Sequence, residues 1–492
     1  MPRTFSAEKV MSGEQDAVCD DSARSANVLT RKSAVATVGG VLGQGLKFFV
    51  YLYIARMFSS ADFGSIAFAN AINAFIFIAS QFGLPLYGSR AVASSGKVEA
   101  RLLFSVAVCR AALALAGTAA ALGILAATPG VLSRDYVLVA FFGLSNLPLA
   151  AFFDWAFQGL NRQVDSALLN AAWQFFWLGF TYVGVQVWKN IIVVPVALCI
   201  AAFLASLVGF IWLRFLGLTE AREDGGTGEL SEVIHVLRKG HLLGTGTILL
   251  NVIVWTDTIT VRLLLGEQAA GWYAAGNRAA LAVAWLVNAY MRGAFPLLCS
   301  ASTKAAETFR LYFQRAYNEL ALLFMPASVW GLFFAPQVIL FLFKREEYLA
   351  GVPVFRIFQV AMPLMVFTVL YGMGVLLAFH RDRDYRRALA VAVVLLVVVC
   401  PISTHFWRLE GAAISTLLAY VVSIGLFHVR ARHLVRLRHA EALLLPCAAG
   451  LAAGLAGVFL HAGLFLALVL LALAYGGLLV RHRRQTRGYV AL

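Results

Sequence analysis

The chain has 492 residues, 61% of them hydrophobic and 13% charged, with a mean hydropathy of +0.80 and a formal net charge of +15. Soluble domains run at roughly 45–50% apolar and about 25% charged. These figures exclude an ordinary soluble enzyme, a disordered chain and a disulfide-stapled secreted domain, and they point to a polytopic membrane protein. The excess of 40 Lys and Arg over 25 Asp and Glu then needs an explanation. Nucleic acid is not expected as a partner, because binding it needs a soluble basic face.

In chain order, residues 1–33 are polar and of mixed charge and read as a disordered cytoplasmic tail. A spanning helix needs about 20 apolar residues. That rule predicts about fourteen helices: 34–54, 65–86, 103–126, 136–158, 166–187, 191–213, 242–262, 271–298, 311–334, 351–377, 387–404, 411–429, 441–460 and 463–480. The segment 214–241, with its run TEAREDGGTGE, reads as a cytoplasmic linker, and 230–239 could form a short surface helix. The expected organisation is a lobe over 34–213, the linker, a second lobe over 242–430, two further helices over 431–480 and a basic cytoplasmic tail over 481–492.

Cytoplasmic loops retain Lys and Arg. With both ends inside, the inside segments hold 27 of the 40 basic residues and the outside segments hold 6. Most of the charge excess is therefore topological. Seven basic residues remain within the predicted spans: Lys47, Arg110, Arg262, Arg278, Arg292, Arg315 and Arg356. Only Asp154, Asp257 and Glu319 accompany them. Charged groups are costly in lipid and face a cavity or a partner.

The two halves echo each other. RMFSSADFGSIAFAN at 56–70 and RLLLGEQAAGWYAAGN at 262–277 occupy the same place in the two half-maps. They share G-x-x-A-x-x-N through Gly64, Ala67, Asn70 and Gly271, Ala274, Asn277. A parallel duplication of this kind places a substrate site between the repeats. Neither CxxC nor HExxH spacing occurs, so no metal site is expected. There is also no G-x-x-x-x-G-K-[ST] phosphate loop.

Three segments resemble the bacterial polysaccharide-transporter, or oligosaccharyl-lipid flippase, family. This family sits in the superfamily that also holds the multidrug extruders and lipid II flippases. The segments are ARMFSSADFG at 55–64, DWAFQG at 154–159 and GEQAAGWYAAGNRA at 266–279, the last followed by FLFKREEYLAG at 341–351. One departure is LNRQVD at 160–165, where the family pattern has a Glu soon after Gly159.

The resemblance implies an all-α fold of two six-helix lobes in a V around a central cavity, with two C-terminal helices outside the lobes. It implies passage of an undecaprenyl-diphosphate-linked oligosaccharide from the inner to the outer leaflet of the bacterial inner membrane by alternating access. No cofactor is implied; a proton or sodium gradient is the candidate drive. A polysaccharide polymerase and a chain-length regulator are candidate partners beside the bilayer itself. The alternatives are a lipid II-type flippase, a multidrug–cation antiporter and, among enzymes, a polysaccharide polymerase or ligase. The short outside loops argue against an enzyme.

The candidate cationic cavity residues are Lys47, Arg110, Arg278 and Arg292, because Arg and Lys bind phosphate oxygens. Lys47 is roughly 20 Å along the first span at 1.5 Å per residue. The candidate polar face comprises Asn70, Asn73 and Gln81 on the second span and Asn277 and Asn288 on the eighth. Asp257 and Glu319 are the candidate ion-coupling carboxylates. The plainer alternative pairs Asp257 with Arg278 and Glu319 with Arg292.

Overall fold

The computed structural model describes residues 39–217, 219–220, 230–284, 286–303, 306–434, 439–460 and 463–490. The expected tail 1–33 and the linker core 221–229 lie outside the described residues. Among the described residues each predicted span falls mainly on helix. Among the described residues seven helices are long and apolar enough to cross a membrane, or up to nine when each bent pair is one span.

The first helix, α1, covers 39–57. α2 (Ser60–Gln81) begins five residues before its predicted start, because Ser59 caps it by accepting from the Asp62 amide at 3.1 Å. Left-handed backbone at Phe82 and Gly83 then breaks the helix, and α3 (Leu84–Ser95) continues with Pro85 in its first turn. α4 is Ala100–Ala126. The predicted span 136–158 is broken into α5 (Ser133–Leu144), α6 (Asn146–Ala150) and α7 (Asp154–Gly159). α8 (Gln163–Trp188) and α9 (Val193–Phe215) complete the first half. Val98–Glu99 pairs in parallel with Thr219–Glu220, which ties the chain after α3 to the chain after α9.

In the second half, α10 runs unbroken over Leu230–Leu265, so the expected surface helix is the first part of the seventh span. α11 (Glu267–Ala284) and α12 (Leu286–Ser302) divide the predicted 271–298. α13 (Ala306–Phe333) meets α14 (Ala335–Phe343) at 91°, a bend that Pro336 explains because proline suits the first turn of a new helix. α15 is Val352–Tyr371, followed by a wider π turn at Gly372–Leu377. α16 spans Asp382–Ala431 but is non-helical at Trp407 and Arg408. There it folds back, so that the Ser403 hydroxyl donates to the Gly411 carbonyl at 2.8 Å. α17 (His439–Phe459) and α18 (Leu464–Val490) close the chain.

The main apolar core crosses from one half to the other, with Val50, Phe63 and Phe68 joined to Tyr273, Phe355 and Tyr348. α2 packs on both α10 and α11, and α10 packs on α16 and against α3 and α4. α17 packs on α13. α17 and α18 share a separate core with α13 and α14, built from Trp330, Phe334, Ala453, Ala467 and Leu471. These last two helices are therefore attached to the second half alone through that cluster.

Candidate functional site

A cavity of about 420 Å³ lies between the halves. α1 brings Lys47 to it, and one face of α2 brings Asn70, Asn73 and Gln81. The spacing of the α2 amides puts them on one side of a helix, so folding that helix alone assembles this wall. α6 adds Asn146, α8 adds Trp173, Gln174 and Trp177, and α10 adds Asn251 and Trp255. Asn73 and Asn146 are joined directly, the Asn146 Nδ2 donating to Asn73 Oδ1 at 2.7 Å and to the Gly143 carbonyl at 3.1 Å. The Asn146 Oδ1, the Gln174 Oε1 and the Trp173 Nε1 are buried without a hydrogen-bond partner.

A smaller chamber of about 80 Å³ shares Lys47 and Trp255 with the first and adds Tyr51, Asn277 and Arg278. The Arg278 guanidinium lies 3.6 Å from the centre of the Tyr51 ring and 5.5 Å from that of Phe63. Such stacking holds a cation beside an aromatic face. It leaves both terminal nitrogens buried and without a hydrogen bond. Among the described residues the two chambers together carry Lys47 and Arg278 as their charged lining residues, and no carboxylate lines either. Two cations facing an amide-rich space in a low-dielectric surround make a site for an anionic group flanked by neutral polar groups.

The remaining candidates lie elsewhere. Arg110 is buried, donating to the carbonyls of Ala150 at 3.2 Å and Phe152 at 3.1 Å. Those carbonyls are freed by the break between α6 and α7, and Arg110 serves the broken backbone. Asp257 does not pair with Arg278. It is buried and accepts from the Tyr273 hydroxyl at 2.7 Å, the Thr416 hydroxyl at 3.0 Å and the Thr258 amide at 2.5 Å. Glu319 pairs with Arg315 one turn earlier, at 2.8 Å, and accepts from the Tyr290 hydroxyl at 2.7 Å. Asn288 is half-buried outside both chambers, and the Arg292 side chain lies outside the described part.

The helix ends that the charge rule assigns to the outside are tied across the halves. Arg134 of α5 bridges Asp62 of α2, at 3.0 Å, and Glu267 of α11. Beneath it Arg262 of α10 pairs with the wholly buried Asp135, at 2.5 Å. Arg56 donates to the Leu342 carbonyl at 2.7 Å, and the Tyr348 hydroxyl donates to the Ala55 carbonyl at 3.0 Å. Sequence reasoning missed these ties, and it missed Asn146, Trp173, Gln174, Trp177, Asn251 and Trp255. Two signals were available: the adjacent pair Arg134–Asp135, and the two tryptophans one turn apart around Gln174.

Residues 29–302 match the profile of a family described as polysaccharide biosynthesis protein. The chain belongs to that family. None of the curated proteins matches. Among solved structures, the chain is similar to the lipid II flippase MurJ in an inward closed conformation, with a TM-score of 0.66 at 13% identity, over 93% of this chain and 100% of that one. It is also similar to a variant of the Vibrio cholerae MATE transporter VcmN, with a TM-score of 0.58 at 15% identity, over 83% and 98%. An inward-facing multidrug resistance MATE transporter of the MOP superfamily gives 0.60 at 12% identity, over 82% and 98%. The chain shares the fold of these transporters, and it is an all-α, multi-pass membrane protein.

Proposed function

We propose that this protein carries an undecaprenyl-diphosphate-linked oligosaccharide from the inner to the outer leaflet of the bacterial inner membrane, for export of a surface polysaccharide. The observation that carries the proposal is the pair Lys47 and Arg278, facing one chamber system with amides and, among the described residues, without a carboxylate. The diphosphate sits between the two cations, the sugars occupy the amide-lined chamber, and the prenyl tail stays in the lipid. Holding the charged head group inside the protein removes the chief cost of crossing the bilayer. A multidrug–cation antiporter needs the opposite charge in its cavity. Alternating access follows from the duplicated halves: the outer ties between α2, α5, α10 and α11 break as an inner closure forms. Both termini are cytoplasmic on the charge rule, and a polymerase takes up the product outside.

The buried Asp257 is the coupling group in this scheme. No cation pairs with it among the described residues, and it lies on α10, the helix that packs against α2, α3 and α4 of the first half. A proton or sodium ion bound there would change the charge on that helix. Lys47→Ala and Arg278→Ala are each expected to abolish surface polysaccharide in a complementation assay at normal protein levels. Full export by both variants would sink the proposal.

A further inference from the structure

The cations of the spans sort by what they touch, and the sorting bears on the cargo. Arg110 is committed to two backbone carbonyls, Arg262 to Asp135 and Arg315 to Glu319. Arg356 is exposed. Among the described side chains only Lys47 and Arg278 reach the chambers. A diphosphate diester carries two negative charges, one on each phosphate, so the two cations among the described side chains match it and leave none of those over.

We infer that the saccharide moved by this protein is neutral, built of hexoses and N-acetylhexosamines without uronic or other acidic sugars. The inference rests on the flippase reading above and specifies its substrate. The wall of the larger chamber beyond Lys47 carries amides and tryptophans beside apolar side chains such as Phe77, Ile78 and Leu86. Two of its buried oxygens, Asn146 Oδ1 and Gln174 Oε1, have no donor. The orientation of Asn146 is set by its Nδ2, which already donates to Asn73 and Gly143.

Carbonyl oxygens only accept, so their partners must be hydroxyls or amide N–H groups. Sugar hydroxyls and acetamido groups supply these. A carboxylate supplies none, and it would sit against two like-signed oxygen dipoles away from water, without a counter-charge. The Trp173 Nε1, buried and unpaired, offers a donor to a hydroxyl or acetamido oxygen. The half-buried indoles of Trp173 and Trp255 suit the apolar C–H faces of neutral pyranoses.

Titration calorimetry tests this on the full chain in nanodiscs at neutral pH. The probes are undecaprenyl diphosphate bearing a neutral hexose and N-acetylhexosamine trisaccharide, and the same lipid with its terminal hexose oxidised at C6 to the uronic acid. The neutral lipid is expected to bind at least about tenfold more tightly. Gln174→Arg, which adds a third cation to the chamber, is expected to narrow or reverse that ratio. Equal or tighter binding of the uronate lipid by the unaltered protein would overturn the neutral-cargo inference and leave the flippase reading in place. Failure of both lipids to bind, with undecaprenyl diphosphate alone failing too, would overturn both. Binding of undecaprenyl diphosphate alone as tightly as the neutral lipid would remove the saccharide contacts and overturn the inference by itself.

Discussion

Gly64 and Gly271 stand at matching places in the two half-repeats and cross each other reciprocally. A Cβ on Gly64 would lie 1.8 Å from the Glu267 carbonyl oxygen, and a Cβ on Gly271 would lie 1.9 Å from the Ser60 carbonyl oxygen. The first turns of α2 and α11 therefore touch backbone to backbone, which only glycine permits. Beside this crossing Arg134 ties Asp62 to Glu267. The two matched segments thus meet at their glycines, at the helix ends that the charge rule assigns to the outside.

Gly64→Ala or Gly271→Ala is therefore expected to part the halves at these helix ends, which the charge rule assigns to the outside. Overpacking costs about 1–3 kcal/mol, which corresponds to about a five- to 150-fold shift between two states. Spin labels at Ala127 and Gln268, both exposed near the outer ends, are expected to move apart in either variant, and export is expected to fall. An unchanged distance distribution would show that the crossing does not hold the outer side closed.

The buried pair Arg262–Asp135 gives a stability prediction. The two side chains are 5% and 0% exposed. Removing one partner of a buried pair leaves an uncompensated charge and costs about 3–5 kcal/mol. Arg262→Ala is expected to lower the thermal unfolding temperature in detergent strongly. Arg262→Ala with Asp135→Ala is expected to recover much of the loss. A double variant no better than the single one would mean that the carboxylate is satisfied some other way.

Hydropathy and the placing of Lys and Arg made the helical segments legible, because both depend on composition along the chain. The breaks were less so. The α5–α7 interruption has Pro148 inside one of its pieces, but the pattern around it stays apolar, and only packing shows that Arg110 serves the freed carbonyls. Lys47 stood out by its depth along the first span, and the α2 amides because one helix face carries them. Asn146, Gln174 and Asn251 come from three further helices, and their convergence is a tertiary fact that no local spacing encodes. Counting intramembrane cations overstated the site for the same reason. Arg110 meets backbone carbonyls of a broken helix elsewhere in the chain, and a count by depth cannot see that.

Asp257 carries the coupling prediction. Asp257→Asn keeps the shape and can still accept the Thr258 amide and bond with Tyr273 and Thr416, but it cannot bear charge. In proteoliposomes the unaltered protein is expected to move lipid-linked oligosaccharide faster under an imposed proton or sodium gradient. The variant is expected to keep its gradient-free rate within about threefold and to lose the acceleration. An undiminished response in Asp257→Asn would make the carboxylate a structural link among α10, α11 and α16.

Arg110 and Lys47 separate a structural cation from a binding one, although the sequence presents them alike. Arg110 is buried with its guanidinium on the carbonyls of Ala150 and Phe152. Hydrogen bonds to charged groups contribute about 1.5–3 kcal/mol each, and buried carbonyls left without partners add a further cost. Arg110→Ala is therefore expected to lower the unfolding temperature and the amount of protein in the membrane. The molecules that remain folded are expected to bind undecaprenyl diphosphate within about twofold of the unaltered affinity. Lys47 has no such backbone duty among the described contacts and lines both chambers. Lys47→Ala is expected to leave thermal stability nearly unchanged and to weaken undecaprenyl diphosphate binding by at least about tenfold. Lys47→Arg, which keeps the charge, is expected to restore most of it. Should Arg110→Ala weaken binding as much as Lys47→Ala does, the break between α6 and α7 would have to shape the chamber through Asn146, which lines it from that same segment.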